Sequence, residues 1–183
     1  MQTALVIVDM LNDFVDGALG NPPSKEIVGP IASLAERSRT SDDWVVVYAN
    51  DAHHLSDVEF RVFPPHAMAG TPGAAVVSEL RPGPEDIVIN KRFYSAFTDT
   101  ELQSTLRVHD VGRLVLVGQH TDCCVRHTSY DAFVRDYELV VCPDATTVLE
   151  PGADEPLASR QERALEYLHT YYGARRESST TVG

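Results

Sequence analysis

The chain has 183 residues, 43% hydrophobic and 23% charged, enough for one α/β domain over 1–183 and too few for two. Its 15 basic and 27 acidic side chains give a formal charge of −12, a field that repels phosphate backbones and anionic lipid, so neither nucleic acid nor a membrane surface is an expected partner. The chain lacks the long apolar run of a membrane span, and Met1 to Asp9 lacks the features of a signal peptide, so a cytoplasmic location is expected.

Taken in order, short runs rich in Val and Ile predict buried strands at Leu5 to Val8, Trp44 to Ala49, Ile87 to Ile89, Leu114 to Val117 and Leu139 to Val141. Helical spacing appears first at Ile27, Val28, Ile31, Leu34 and Ala35, then at Leu102 and Leu106. It returns at Val125, Ser129, Ala132 and Phe133, and finally from Leu157 through Ala164, Leu165 and Leu168 to Tyr171 and Tyr172. The stretch Pro64 to Gly73 reads as an active-site loop, and Arg175 to Gly183 as a polar tail or an edge strand, with a sixth strand expected after Gly173. Repeated βα alternation predicts a mostly parallel sheet covered by helices on both faces through right-handed crossovers.

Ligands of open parallel sheets bind beyond the carboxyl ends of the strands, which makes the residues just past each run the ones to inspect. Those residues are Asp9; Asn50, Asp51, Ala52 and His53; Asn90 and Lys91; and Gly118 to Cys124. Taken singly, Asp9 is an ordinary turn former, Lys91 a solvated side chain and Cys124 a small filler. Together they place a carboxylate, an ammonium and a thiol at one rim. Thr121 and Asp122 are expected to cap a helix beginning near Cys123, with Cys124 in its first turn. There the helix dipole and the Lys91 ammonium favour a thiolate, Asp9 serves as base, and backbone N–H groups at Cys124 and the preceding loop hold an oxyanion. Cys123 lies one helical step, about 100°, from Cys124 and is expected to point elsewhere. Cys142, at the end of a strand, is expected in the core.

Asp51 and His53, two apart in extended chain, point the same way, whereas His54 points oppositely. His66, fixed by Pro64 and Pro65, can return as a third ligand, leaving coordination positions open as in a reactive metal site. Such ligands suit zinc, iron or manganese.

Four motifs then stand in order: Val6-Ile7-Val8-Asp9-Met10-Leu11-Asn12-Asp13-Phe14; Asp51-Ala52-His53 with Phe63-Pro64-Pro65-His66 and Gly70 to Ala74; Lys91 to Phe97; and Gly118 to Val125, continuing to Thr128 and Asp131-Ala132. Over nearly its whole length the chain resembles the isochorismatase-like cysteine hydrolases, and within them the nicotinamidase-related amidohydrolases. The resemblance implies a six-stranded parallel sheet of order 3-2-1-4-5-6 in a three-layer sandwich. It implies a catalytic triad of Asp9, Lys91 and Cys124, and a divalent metal, zinc first and iron or manganese next, on Asp51, His53 and His66. It further implies a cis peptide between Gln119 and His120, an oxyanion hole from the amides of His120 and Cys124, and a dimer or tetramer. Hydrolysis of a small, nicotinamide-like amide to the acid and ammonia follows, with Phe14 and Phe63 flanking a flat substrate.

Three positions depart from the usual nicotinamidase pattern: Phe63 stands where Trp is usual, His120 where a small residue is, and Cys123 where Tyr or another bulky residue is. The rival readings are an amidase for N-carbamoyl or ureido compounds, an isochorismatase using the aspartate as acid without thiol or metal, and a non-catalytic metal or thiol module on the same fold. A dinucleotide enzyme is disfavoured, because the turn after the first strand, Asp9 to Asp13, holds no glycine.

Overall fold

The structure is a computed structural model, described here for residues 1–150 and 155–183. The Val- and Ile-rich runs form six strands: β1 (Gln2–Val8), β2 (Trp44–Asp51), β3 (Ile87–Lys91), β4 (Val111–Gln119), β5 (Glu138–Thr147) and β6 (Arg175–Arg176). They pair in parallel in the order β3-β2-β1-β4-β5-β6. Five α-helices accompany them: α1 (Asn12–Val15), α2 (Ser24–Arg39), α3 (Leu102–Val108), α4 (Cys124–Phe133) and α5 (Leu157–Tyr172).

Alternation along β1 sorts its side chains between two apolar layers. Leu5 and Ile7 pack with Ile27, Ile31 and Leu34 of α2 on one face. Ala4, Val6 and Val8 pack on the other with Leu106 of α3, Val125 of α4 and Leu165 of α5. The chain first winds from β1 outward to β3, then returns past β1 to β4. Right-handed crossovers running in opposite directions must lie on opposite faces, which is why α2 stands apart from α3, α4 and α5. The reversal falls between β1 and β4, and the crevice beyond their carboxyl ends is the natural ligand site of such a sheet. Gly118, at φ +100°, lets β4 approach β1 there, since a Cβ would collide with the backbone of Val8.

Two details differ from the sequence reading. No α-helix joins β2 to β3; that connection is made of short 3₁₀ turns, so the alternation is broken there. The turn after β1 contains the helical turn α1. The C-terminal segment takes the edge-strand alternative rather than the polar tail: β6 forms the sheet edge after Gly173, and beyond it Ser179 donates to Asp144 and Val182 is buried against the layer containing α2. Cys142 is core, as expected, and burial pushes its thiol up to about 12.

Candidate active site

Three neighbouring strands end in charge. Asp9 follows β1 in the left-handed region, at φ +51°, which aspartate tolerates better than most residues. Asp51 ends β2 and Lys91 ends β3, directly opposite one another in the parallel ladder. The Lys91 ammonium lies 2.8 Å from Asp9 Oδ2 and 2.5 Å from Asp51 Oδ1, while Asp9 Oδ1 accepts the Asp51 N–H at 2.7 Å. All three residues are 1% exposed. Burial opposes the charge on Lys91, yet the two carboxylates outweigh it and hold its pKa well above the ordinary range. For Asp9 the balance is different: burial, then repulsion from Asp51, prevail over Lys91 and lift it to about 7.

Cys124 opens α4, and its Sγ and carboxylate oxygens of Asp9 and Asp51 all lie within 4.8 Å of one another. Asp9, Lys91 and Cys124, drawn from three distant parts of the sequence, are therefore brought together. The expected side-chain cap is absent. Thr121 instead donates to Gln161 Oε1 at 2.9 Å, Asp122 accepts from Arg160 Nε at 2.7 Å, and the N-cap residue is Cys123. With φ −127° and ψ −98°, Cys123 lies outside the helix, so the helical offset does not apply, and both cysteines line one cavity. The surroundings also work against the thiolate that the sequence reading favoured. Contact with the Cys123 thiol and burial raise Cys124 well above the usual thiol range, although Lys91 pulls the other way.

Beside this group lie Asp51, His53, Glu59 and His66, each offering a ligand atom within 4.8 Å of the others. Imidazole orientation is fixed from behind: His53 Nδ1 is 2.9 Å from Asp57 Oδ2, and His66 Nδ1 is 2.8 Å from the Pro64 carbonyl. Asp57 is itself held by Arg92 and the His54 N–H, while the His54 side chain is exposed. The loop bearing His66 is pinned through its neighbour, because Asp13 Oδ2 of α1 accepts the Ala67 N–H at 2.8 Å. Asp51 Oδ2, His53 Nε2 and His66 Nε2 are buried without hydrogen-bond partners, which fits a set of metal donors. Without a cation, burial disfavours the charged imidazole of His53, but Asp51, Asp57 and Glu59 overcome it and raise the group to about 9. Glu59 is the member that the sequence reading missed. It sits on a 3₁₀ turn, Val58–Arg61, and nothing in local spacing marks it.

A cavity of about 280 Å³ joins the two clusters. Phe14 and Phe63 line it, as do Tyr94, His120, Cys123 and Cys124, together with Asp51 and Glu59 of the metal-donor group and with Asp122 and Arg160. Phe14 meets the rings of His66 and His120 edge-on, at centroid distances of 5.2 and 5.7 Å. The bond between Gln119 and His120 is cis. Burial depresses the His120 imidazole to about 4, leaving it neutral. Tyr94 and Arg160 are lining residues that sequence reasoning did not select.

A thiol, a carboxylate and an ammonium thus meet at the switch point of a doubly wound parallel sheet. The chain belongs to the isochorismatase family: the model of the isochorismatase domain matches residues 3–170. Among solved structures it is similar to N-carbamoylsarcosine amidase from Thermoplasma acidophilum, with 37% identity and TM-score 0.89 over 100% of this chain and 99% of that one. It also resembles nicotinamidase/pyrazinamidase PncA from Bacillus subtilis, with 32% identity and TM-score 0.85 over 97% and 100%. A third is pyrazinamidase of Pyrococcus horikoshii in complex with zinc, with 28% identity and TM-score 0.86 over 97% and 99%.

Proposed function

We propose that this protein is a metal-assisted cysteine amidohydrolase that converts a small amide to an acid and ammonia through a thioester. The observation that carries this reading is the convergence of the buried Asp9 and Lys91 with Cys124, which lines the cavity. Asp9, lifted to about 7 by burial and Asp51, is matched to moving a proton near neutral pH. It takes the proton of Cys124 as Sγ attacks the carbonyl carbon, so no standing thiolate is needed. The amides of His120 and Cys124 receive the oxyanion; neither donates to another group among the described residues. Asp9 returns the proton to the departing nitrogen, the C–N bond breaks and ammonia leaves. Water, deprotonated by Asp9, then cleaves the thioester and frees the thiol. Lys91 keeps the Asp9 carboxylate oriented throughout. A divalent metal on Asp51, His53, Glu59 and His66, with zinc first and iron or manganese next, would supply a Lewis acid beside the cavity.

Phe14 and Phe63 suit a flat, nicotinamide-like carboxamide. A second reading, hydrolysis of an N-carbamoyl or ureido compound, is favoured by the Arg160 guanidinium in the cavity lining. Isochorismatase chemistry would leave both the thiol and the metal donors without a task. Ammonia release from a panel of carboxamides and carbamoyl compounds tests the proposal. Cys124→Ala and Cys124→Ser should each lose on the order of 10³-fold or more, and near-normal turnover in both would overturn it.

A further inference from the structure

Asp9 moves the proton in both halves of the proposed reaction, and its carboxylate is directed by a main chain that needs outside support. A non-glycine residue at φ +51° persists only where its surroundings hold it there. Two main-chain bonds supply that support. The Asp9 N–H donates to the Ala49 carbonyl of β2 at 3.1 Å, and the Asp9 carbonyl accepts from Nε2 of Gln119, the last residue of β4, at 3.0 Å. The second bond ends a buried relay. The Glu150 N–H donates to Asn21 Oδ1 at 2.8 Å, Asn21 Nδ2 donates to Ser24 Oγ at 2.9 Å, and Ser24 Oγ donates to Gln119 Oε1. The side chains of Asn21, Ser24 and Gln119 are fully buried. Main-chain groups fix the direction of the whole series. Glu150 N–H can only donate and the Val148 carbonyl, 3.0 Å from Asn21 Nδ2, can only accept, so the Asn21 amide has one orientation. Ser24 must then donate onward, and the Gln119 amide turns its N–H to Asp9. Bonds aligned in this way polarise and strengthen one another. The far end is anchored at the cavity itself, because Asn21 bonds both peptide groups flanking Leu149, a lining residue.

We propose that Gln119 is a positioning residue for the reaction: acting through the Asp9 main chain, it holds the Asp9 carboxylate toward Cys124 Sγ, and Ser24 sets the orientation of the Gln119 amide. This rests on the reading of Asp9 as the base and adds to it. Gln119 stands outside the cavity lining, so its action on the chemistry is indirect. An apolar side chain of the same length would fill its space but leave the Asp9 carbonyl without that donor, and the left-handed turn would lose one of its two supports. The carboxylate would then drift from the sulfur whose proton it takes.

The test uses two readouts on the full chain: ammonia release from the compounds that wild type turns over, and the rate at which iodoacetamide alkylates Cys124, followed on its own peptide by mass spectrometry. Alkylation, like the first step of the reaction, draws on Asp9 to take the Cys124 proton. It forms no oxyanion, so it reports on Asp9 and not on the amides of His120 and Cys124. Gln119→Met should lower kcat by about tenfold to a hundredfold, the range for a small misplacement of a reacting group, with KM changed by less than about threefold. Alkylation should slow in the same proportion. Ser24→Ala, which removes only the hydroxyl that orients the amide, should give the same split at about threefold to tenfold, and it serves as the test if Gln119→Met does not fold. On an Asp9→Asn background, which lacks the base, neither substitution should slow alkylation further. Alkylation left unchanged by the folded variants, or slowed equally with and without Asp9, overturns the positioning role. Because alkylation needs no substrate, that result is separate from the panel of the preceding section, where absence of ammonia from every compound overturns the amidohydrolase reading.

Discussion

Lys91 and Arg160 are both cations facing carboxylates in the same site, but they are built on opposite terms. Lys91 is 1% exposed, sits at the end of a central strand and is shared by two carboxylates. The Arg160 side chain is 32% exposed, projects from a helix on the rim and meets one carboxylate. The floor of the cavity is thus a desolvated charge cluster whose members cannot be removed singly, whereas the wall is a solvent-screened pair that can change with little structural consequence.

Removing the floor's cation should produce the largest effect. Lys91→Met removes the cation that the buried Asp9 and Asp51 share, and a loss of about 3–5 kcal/mol is expected in urea unfolding. A loss below about 1 kcal/mol would mean that the floor behaves like the wall. His120, on the boundary between the two regions, comes next. Its imidazole is depressed from about 6.5 unfolded to about 4 folded. Between those pH values the unfolded chain binds a proton that the folded chain refuses, so stability is fully present above 6.5 and falls as pH drops toward 4. The expected loss is about 3 kcal/mol, and unfolding curves of His120→Asn, which cannot titrate there, should lack that component relative to wild type.

A smaller effect is expected behind the metal donors. Asp57→Asn weakens the support of His53 without removing a ligand, and zinc affinity, read by competition with a chromophoric chelator, should fall by about 10–100-fold. The smallest belongs to the wall. Arg160→Gln should change thermal stability by no more than about 1 kcal/mol. A stability loss as large as that of Lys91→Met would erase the distinction between the two regions.

Much of the floor was legible before any coordinates, because its residues stand at the carboxyl ends of strands that hydrophobic runs mark clearly. Asp9, Asp51 and Lys91 each follow such a run, and the two-residue spacing of Asp51 and His53 already placed them on one side of an extended chain. Glu59, Tyr94 and Arg160 carried no such mark, since a 3₁₀ turn, a loop and an amphipathic helix each reach the cavity only through packing. Cys123 misled for a related reason: its direction depends on where α4 begins, a boundary set by one residue's backbone angles rather than by composition.

By itself the sequence determined the parallel α/β architecture and the residue types gathered at its rim, because strand periodicity and strand-end position are local properties of the chain. Tertiary structure alone decided the charge state of that rim. Whether Cys124 rests as thiol or thiolate and whether Asp9 holds a proton near neutral pH both depend on burial and on partners brought from distant segments. Desolvation and Coulomb forces act across space, and no pattern along the chain records them.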